Sequence, residues 1–289
     1  MNLSREDKKF LKSYNAENYE KPSVTVDGVI LRLVSKQNEN YRKLPEKKLQ
    51  IFLNKRSSLP FKDAFAVVGT FVNLNNELTD TMKLCVKTKV GLQNYYYEQL
   101  YTFGEKSRDP RARVLSVGYL LLTNQDEHLE NGEWFDIDYK EKVIKNTTNN
   151  SGYNITKEIL ITLSNENQSL ENKILLDITK SNLEQTKSVT ITESALAFDH
   201  AKIIFYALER LKNKLEYTDI IFNLLPKEFT LTELKQCYEV ILNEKLLDAN
   251  FRRKTAKMVS PTTNFITGKG HRSSQLFEHN PLWQVNDLD

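Results

Sequence analysis

The spacing of apolar side chains changes period along this chain, and each change marks an element. Phe10, Leu11 and Tyr14 share one face of a short amphipathic pattern that Pro22 ends, so residues 1–21 read as an N-terminal helix or arm. SVTVDGVILRLV (23–34) and LQIFLNKR (49–56) are β-rich and mostly apolar, the character of adjacent central strands, with polar KQNENYRKLPEK between them. After AFAVVGTFV (64–72), the segment NELTDTMKLCVKTKVG (76–91) moves to three- and four-residue spacing through Leu78, Met82, Leu84, Cys85 and Val86. That predicts a helix closed by Gly91. YYYEQLYTFG (95–104) and RARVLSVGYLLLT (111–123) return to strand character, joined by EKSRDP with Asp109 and Pro110 as turn residues. Tyr95 to Tyr97 alternate as strand residues at a sheet edge or dimer interface.

Beyond residue 123 the chain turns polar, and the short apolar runs EILITLS (158–164) and NKILLDIT (172–179) predict an inserted β-hairpin region at about 137–190. From Ser194, SALAFDHAKIIFYALERLKNKLEY keeps Ala195, Phe198, Ile203, Ala207, Leu208 and Leu211 near one stripe, which predicts a long connecting helix. Three short helices are then expected. They are TDIIFNLLP, LTELKQCYEVILN behind a Thr230–Glu233 capping box, and DANFRRKTAKMV, and a turn-rich hairpin around Gly268 and Gly270 follows. The expected division is an arm (1–21), a mixed α/β first domain (22–193), and a helical second domain with a hairpin (194–289).

Length supports two cores, since 289 residues exceed the usual span of one domain. With 41 basic and 38 acidic residues the net charge is only +3, so a nucleic-acid function must show as local clustering. Cys85 and Cys237 lie far apart without a CxxC spacing, which argues against a zinc site or a disulfide framework and predicts reduced core residues. The charged N-terminus and the lack of an 18-residue apolar run lead us to expect a cytosolic protein.

Helices followed by a basic hairpin is the winged helix-turn-helix order, whose last helix enters the major groove while the wing touches the DNA backbone or minor groove. Between Asn250 and Gln275 lie Arg252, Arg253, Lys254, Lys257, Lys269 and Arg272, with no Asp or Glu. Asn250, Arg253 and Lys254 share roughly one helical face that Lys257 continues, leaving Phe251 and Met258 for the core. Arg and Asn read base edges and Lys pairs with phosphate, so Asn250, Arg252, Arg253, Lys254, Lys257, Lys269, His271 and Arg272 are the candidate DNA contacts. A run such as FRRKTAK is by itself as well explained by a solvated helix face, and GKGHRSS downstream is what favours DNA. His271 reads equally as a phosphate contact or a wing cap.

The strings NKRSSLPFKDAFAVVGTFV, EQLYTFGEKSRDPRARVLSVGYL, LAFDHAKII, LLPKEFTLTELKQCYEVIL, NFRRK and GHRSSQLF resemble Nudix-related transcriptional regulators of the NrtR type. The resemblance implies an α+β chain: a Nudix α/β/α sandwich followed by a winged helix, paired as a homodimer on an operator. A catalytic Nudix box opens with Gly, has Glu six residues on and closes Arg-Glu-x-x-Glu-Glu-x-Gly, so that a helix presents carboxylates to a Mg²⁺ that bridges pyrophosphate. Counted back from Gly91, those positions hold Thr70, Asn76, Leu84, Cys85, Thr88 and Lys89, so the box is degenerate and no Mg²⁺ cofactor is expected. Glu77, Asp80, Glu98 and Glu105 are the acids left for a relocated metal site. Glu77 and Asp80 equally suit a helix's first turn.

The family senses ADP-ribose or a related nucleotide, some members a pentose. Arg56, Phe71, Tyr101, Arg108 and Arg111 are the candidate effector contacts, the arginines as phosphate clamps and the rings as stacking surfaces. Phe71 and Tyr101 fit equally as core aromatics, and Arg108 as a loop charge. The expected function is a repressor of NAD or sugar metabolism genes. The alternatives are a Nudix hydrolase of ADP-ribose or another nucleoside diphosphate derivative, and a module whose winged helix binds protein.

Overall fold

In the computed structural model the described residues are 3–36, 45–125, 129–149, 151–182, 184–266 and 273–283. The first long strands, β1 (Ser23–Lys36) and β2 (Glu46–Lys55), pair antiparallel with Leu31 opposite Ile51. Short β3 (Phe65–Ala66) and β4 (Val68–Phe71) pair with β2 and β1, and α2 (Leu78–Val90) follows. Next come β5 (Tyr96–Phe103) and β6 (Val114–Thr123), the latter parallel to β1. Helix α2 ends where Gly91 takes φ 80°, and Gly91 N–H donates to the carbonyls of Lys87 and Val86, closing the helix as the sequence predicts. Alternate residues of β1 serve two cores. Val26 and Ile30 pack with Met82, Cys85 and Val86 of α2, while Val29 and Leu31 face the opposite layer.

The expected hairpin proves to be part of a larger unit. The runs EILITLS and NKILLDIT do pair, but within a four-strand antiparallel meander: β7 (Gly132–Asn149), β8 (Gly152–Ser164), β9 (Ser169–Ser181) and β10 (Gln185–Ser194). β7 pairs with β2, so the meander extends the main sheet to the order β10-β9-β8-β7-β2-β1-β6-β5. Ile159, Ile161, Leu163, Ile174, Leu176 and Val189 from it join the larger core. The two visible runs are the strands with clean alternation, whereas the outer half of β7 is exposed on both faces, Val143 and Ile144 included, and carries no alternating pattern.

The connecting helix α3 is His200–Lys214, six residues later than its apolar stripe suggested. Leu196 bridges Phe65, and the Ala197 N–H donates to the Phe65 carbonyl at 2.9 Å. Phe198 then adopts φ 53°, so Ala195 and Phe198 stand outside the helix. The first of the three expected short helices is a 3-10 turn, Ile220–Leu224. β11 (Glu228–Phe229) leads to α4 (Leu231–Leu242), whose capping box forms as read: Glu233 N–H donates to Thr230 Oγ1 at 3.1 Å and Thr230 N–H to Glu233 Oε2 at 2.9 Å. Helix α5 (Asp248–Thr255) and strands β12 (Val259–Ile266) and β13 (Ser274–His279) complete a three-stranded sheet, β11-β13-β12, around Phe229, Leu234, Tyr238, Phe251 and Met258. Cys85 and Cys237 are buried free thiols; desolvation raises both, Cys237 to about 12. The N-terminal helix α1 (Arg5–Ser13) forms with a Ser4–Asp7 capping box but buries none of its residues. Among the described residues no helix is long and apolar enough to cross a membrane.

Candidate functional site

The helix α2 occupies the place of a Nudix box without its chemistry. Leu84 is exposed, Cys85 is a buried thiol, Thr88 Oγ1 donates to the Leu84 carbonyl at 2.8 Å, and Lys89 Nζ donates to the Gly69 carbonyl at 2.6 Å. An alkyl group, an inert thiol, a hydroxyl turned onto its own helix and an ammonium do not suit a hard divalent cation, which takes anionic and carbonyl oxygens. The other acids are dispersed. Glu98 meets Arg210, Lys214 and Tyr96, Glu105 meets Lys202, and Glu77 and Asp80 belong to the start of α2. Gly69 is required by close approach, since a Cβ there would lie 2.0 Å from Asp27 Oδ1 and 2.9 Å from the Val26 carbonyl.

Asp27 is buried on β1 beneath Gly69, accepting hydrogen bonds from Ser116 Oγ and, at 3.4 Å, from Thr25 Oγ1. Arg108 reaches it at 3.8 Å and grips Asp199 with two bonds of 2.7 and 2.9 Å. His200, the first residue of α3, accepts the Val67 N–H on Nδ1 at 3.2 Å. Burial drives its pKa down, against the pull of Asp27 and Asp199, so the ring is held neutral with its proton on Nε2. A bidentate buried pair and a neutral imidazole therefore anchor the start of α3 to the sheet.

Above this layer the Phe198 ring collects cations. Arg56 Cζ lies 4.8 Å and Arg111 Cζ 5.3 Å from its centroid, Phe61 packs edge-on at 4.8 Å, and Arg111 also lies 5.4 Å from the ring of Phe71. Arg111 is held by Asp109 at 2.7 Å, and that bond lowers the Asp109 pKa. Arg56 has carbonyls instead, donating from Nε to Pro60 at 3.0 Å and from Nη2 to Ser58 at 3.3 Å, with no carboxylate in ion-pair range among the described residues. Burial and the Arg111 charge press its pKa below the ordinary value. Two guanidiniums sharing a half-buried ring, one of them in no ion pair among the described residues, form a place for an anion attached to a planar group.

The five candidate effector residues thus separate. Arg56, Phe71 and Arg111 gather at Phe198. Arg108 is not available as a phosphate clamp, because its side chain is 4% exposed and spent on Asp199 and Asp27. Tyr101 packs instead against Tyr206 of α3, tilted at 4.9 Å, and edge-on against Phe103 at 5.2 Å. Asp27, Asp109, Phe198, Asp199 and His200 went unread as site residues. The available signal was an Asp-His pair interrupting an apolar stripe in LAFDHAKII.

In the winged helix, α5 buries Phe251 and Thr255 and exposes Asn250, Arg252, Arg253, Lys254 and Lys257 along or just beyond it. Among the described residues no carboxylate pairs with Arg252 or Arg253. Lys254 differs, its ammonium lying 5.4 Å from the Tyr238 centroid, with desolvation lowering its pKa. Lys269, His271 and Arg272 lie outside the described residues.

Residues 221–278 match the family described as the NrtR DNA-binding winged helix domain. The chain is 29% identical over 279 residues to the "ADPR responsive transcriptional repressor NtrR" of Acinetobacter baylyi, covering 93% of this chain and 86% of that one. A MutT/nudix family protein from Enterococcus faecalis superposes with a TM-score of 0.63 at 24% identity, over 97% of this chain and all of its own (100%). NrtR from Shewanella oneidensis, in a structure complexed with a 27mer DNA, superposes with a TM-score of 0.58 at 22% identity, over 89% of this chain and 94% of that one. A Nudix sheet and box helix, continued through α3 into a winged helix, is the architecture of a Nudix-related transcriptional regulator. Residues 221–278 carry a winged helix of the NrtR type, and the chain as a whole is similar to the Acinetobacter baylyi repressor.

Proposed function

We propose that this chain is an operator-binding repressor of NAD or sugar metabolism genes, whose Nudix domain senses ADP-ribose or a related nucleotide without hydrolysing it. The repressor and effector assignments extend to this chain what the name of the Acinetobacter baylyi relative says of that protein. The observation that carries the reading is the path of α3. It begins at His200, directly after the Phe198 ring that holds Arg56 and Arg111, and leads into the winged-helix core through Ile220, Ile221 and Leu224. Phe198 is a bulky residue at φ 53°, a conformation that costs about 1–3 kcal/mol and persists only where its surroundings enforce it. An anion that draws Arg56 and Arg111 off the ring changes those surroundings at the foot of the helix bearing the DNA-binding domain.

In this reading two chains pair, placing two α5 helices in successive major grooves with Asn250 and Arg253 toward bases and Lys254 and Lys257 toward backbone, and with Arg252, Lys269, His271 and Arg272 as further DNA contacts. The proposed domain boundary is at about residue 193, where the meander's last strand ends, and the proposed location is the cytoplasm. The test is a fluorescence-anisotropy titration of DNA from upstream of the protein's own gene, against scrambled DNA, with and without ADP-ribose. Specific, salt-steep binding that ADP-ribose changes supports the reading. Specific binding indifferent to ADP-ribose rejects that effector, and equal binding to both DNAs rejects this operator.

A further inference from the structure

Strand β12 ends in two exposed apolar side chains, Phe265 at 59% and Ile266 at 49%, and a strand sends neighbours to opposite faces. Phe265 stands opposite Gln275 of β13. Phe277, two residues along β13 on that same face, packs against the core that holds Phe251 of α5. Phe265 therefore lies on the helix-bearing face of the wing sheet. The other face, which takes Ile266, is acidic: Glu228 of β11 and Glu278 of β13 stand opposite each other there, and Asn264 Nδ2 donates to Glu228 Oε1 at 2.8 Å. The direction of the ring is built in. Pro261 opposes Phe277 and Phe265 opposes Gln275, so residues 262–264 share Leu276 as a bulge. Thr262 Oγ1 donates to the Leu276 carbonyl at 3.0 Å and accepts the Asn264 N–H at 3.2 Å, which fixes the extra residues and re-aims the side chain that follows. Phe265 is six residues beyond Val259, where β12 leaves the end of α5, a reach of up to about 20 Å at about 3.3 Å per residue. That is close to half of a DNA turn of about 34–36 Å, the separation of a major groove from its flanking minor groove.

We propose that Phe265 is an apolar wedge that enters the minor groove beside the major groove read by α5, partly unstacks a base step there and kinks the operator. This rests on the DNA-binding reading above. The occupant is duplex DNA because the ring lies within residues 221–278, which match a DNA-binding winged helix, and because the sequence between Ile266 and Gln275 adds Lys269 and Arg272 with no acid. Glu228 and Glu278 keep phosphates from the opposite face. Single exposed apolar side chains are also common on surfaces with no partner. Ile266, as apolar and nearly as exposed but on the acidic face, is therefore the control.

The experiment takes the full chain and a duplex from upstream of the protein's own gene, labelled at its two ends with donor and acceptor dyes. Wild type, Phe265→Ala, Phe265→Leu and Ile266→Ala are compared by anisotropy and by energy transfer. Wild type is expected to shorten the end-to-end distance, as a kink of about 20–90° requires. Phe265→Ala should bind about tenfold more weakly and leave the duplex straighter, and Phe265→Leu should recover most of both, since a wedge needs apolar bulk. Ile266→Ala should match wild type. Unchanged affinity and distance in Phe265→Ala, or lost affinity with an unchanged distance, overturns the wedge and leaves the DNA binding. Sedimentation in which Phe265→Ala dissociates a wild-type dimer assigns the ring to a contact between copies and overturns it equally. Failure of wild type to bind any duplex overturns the DNA-binding reading and the inference with it. Thermal midpoints within error of wild type separate a lost contact from a lost fold.

Discussion

In the Nudix half, Arg108 is 4% exposed and gripped by Asp199, whereas in the winged helix Arg252 and Arg253 are exposed and, among the described residues, in no ion pair. Arg56 and Arg111 fall between, stacked on an aromatic ring at an open rim. Burial decides which role each arginine takes. A guanidinium taken out of water must be paired, and once paired it fixes structure and has no donors to offer. One left at the surface keeps its donors for a ligand. The contrast is sharpest at Arg108. Arg108→Ala strands the buried carboxylates of Asp199 and Asp27 and is expected to cost about 3–5 kcal/mol of stability, read as a lower urea midpoint. A midpoint within error of wild type would place Arg108 among the surface cations.

At α5 the same substitution acts on affinity alone. Arg253→Ala is expected to weaken operator binding by about 1–3 kcal/mol with an unchanged urea midpoint. Loss of stability there, or unchanged affinity for operator DNA, would erase the difference between the two halves.

This difference also explains what was legible in the sequence. α4 and the end of α2 were readable because a capping box and a glycine C-cap are local chemistry, and the FRRK run because no acid interrupts it. The Nudix-half site was not readable in this way. Its members come from β1, the loops after β2 and before β6, and the turn before α3, and nothing local distinguishes an Arg108 that meets Asp199, 91 residues away, from an Arg111 beside its own Asp109. Phe198 shared the apolar spacing of α3, and only its bridge-constrained, left-handed backbone removes it from the helix. β7 was unreadable for the opposite reason, because its outer half is solvated on both faces and carries no period-two signal.

The neutral His200 adds a pH signature to the Nudix half. Its folded pKa is lowered by burial, so below the unfolded value of about 6.5 the unfolded chain holds a proton that the folded chain lacks. Its contribution to stability is therefore complete above that value and is lost as pH falls toward the folded pKa, by up to about 1.4 kcal/mol per pH unit. The charged groups acting on the ring are Asp27, Asp199, Arg108 and Arg56, and the two carboxylates oppose but do not reverse the effect of burial. Thermal melts from pH 7.5 to 5.5 should show a flatter profile for His200→Asn, whose Oδ1 can still accept the Val67 N–H. Parallel profiles would mean that the imidazole titrates alike in both states.

The smallest expected effect tests whether the exposed cations of the winged helix are themselves of two kinds. Lys257 lies one turn beyond Arg253, past the end of α5, and its backbone carbonyl accepts Asn280 Nδ2–H at 3.0 Å, which ties this segment to the chain after β13. A lysine ammonium can pair with a phosphate but cannot match the paired acceptors of a guanine edge. Lys257→Ala should therefore weaken operator and scrambled DNA by the same factor and reduce the slope of log K against log salt by about 1, where Arg253→Ala weakens the operator selectively and leaves the slope nearly intact. Anisotropy titrations of both variants at several salt concentrations make the distinction. A selective operator loss in Lys257→Ala would move this lysine from backbone to base and turn α5 further into the groove.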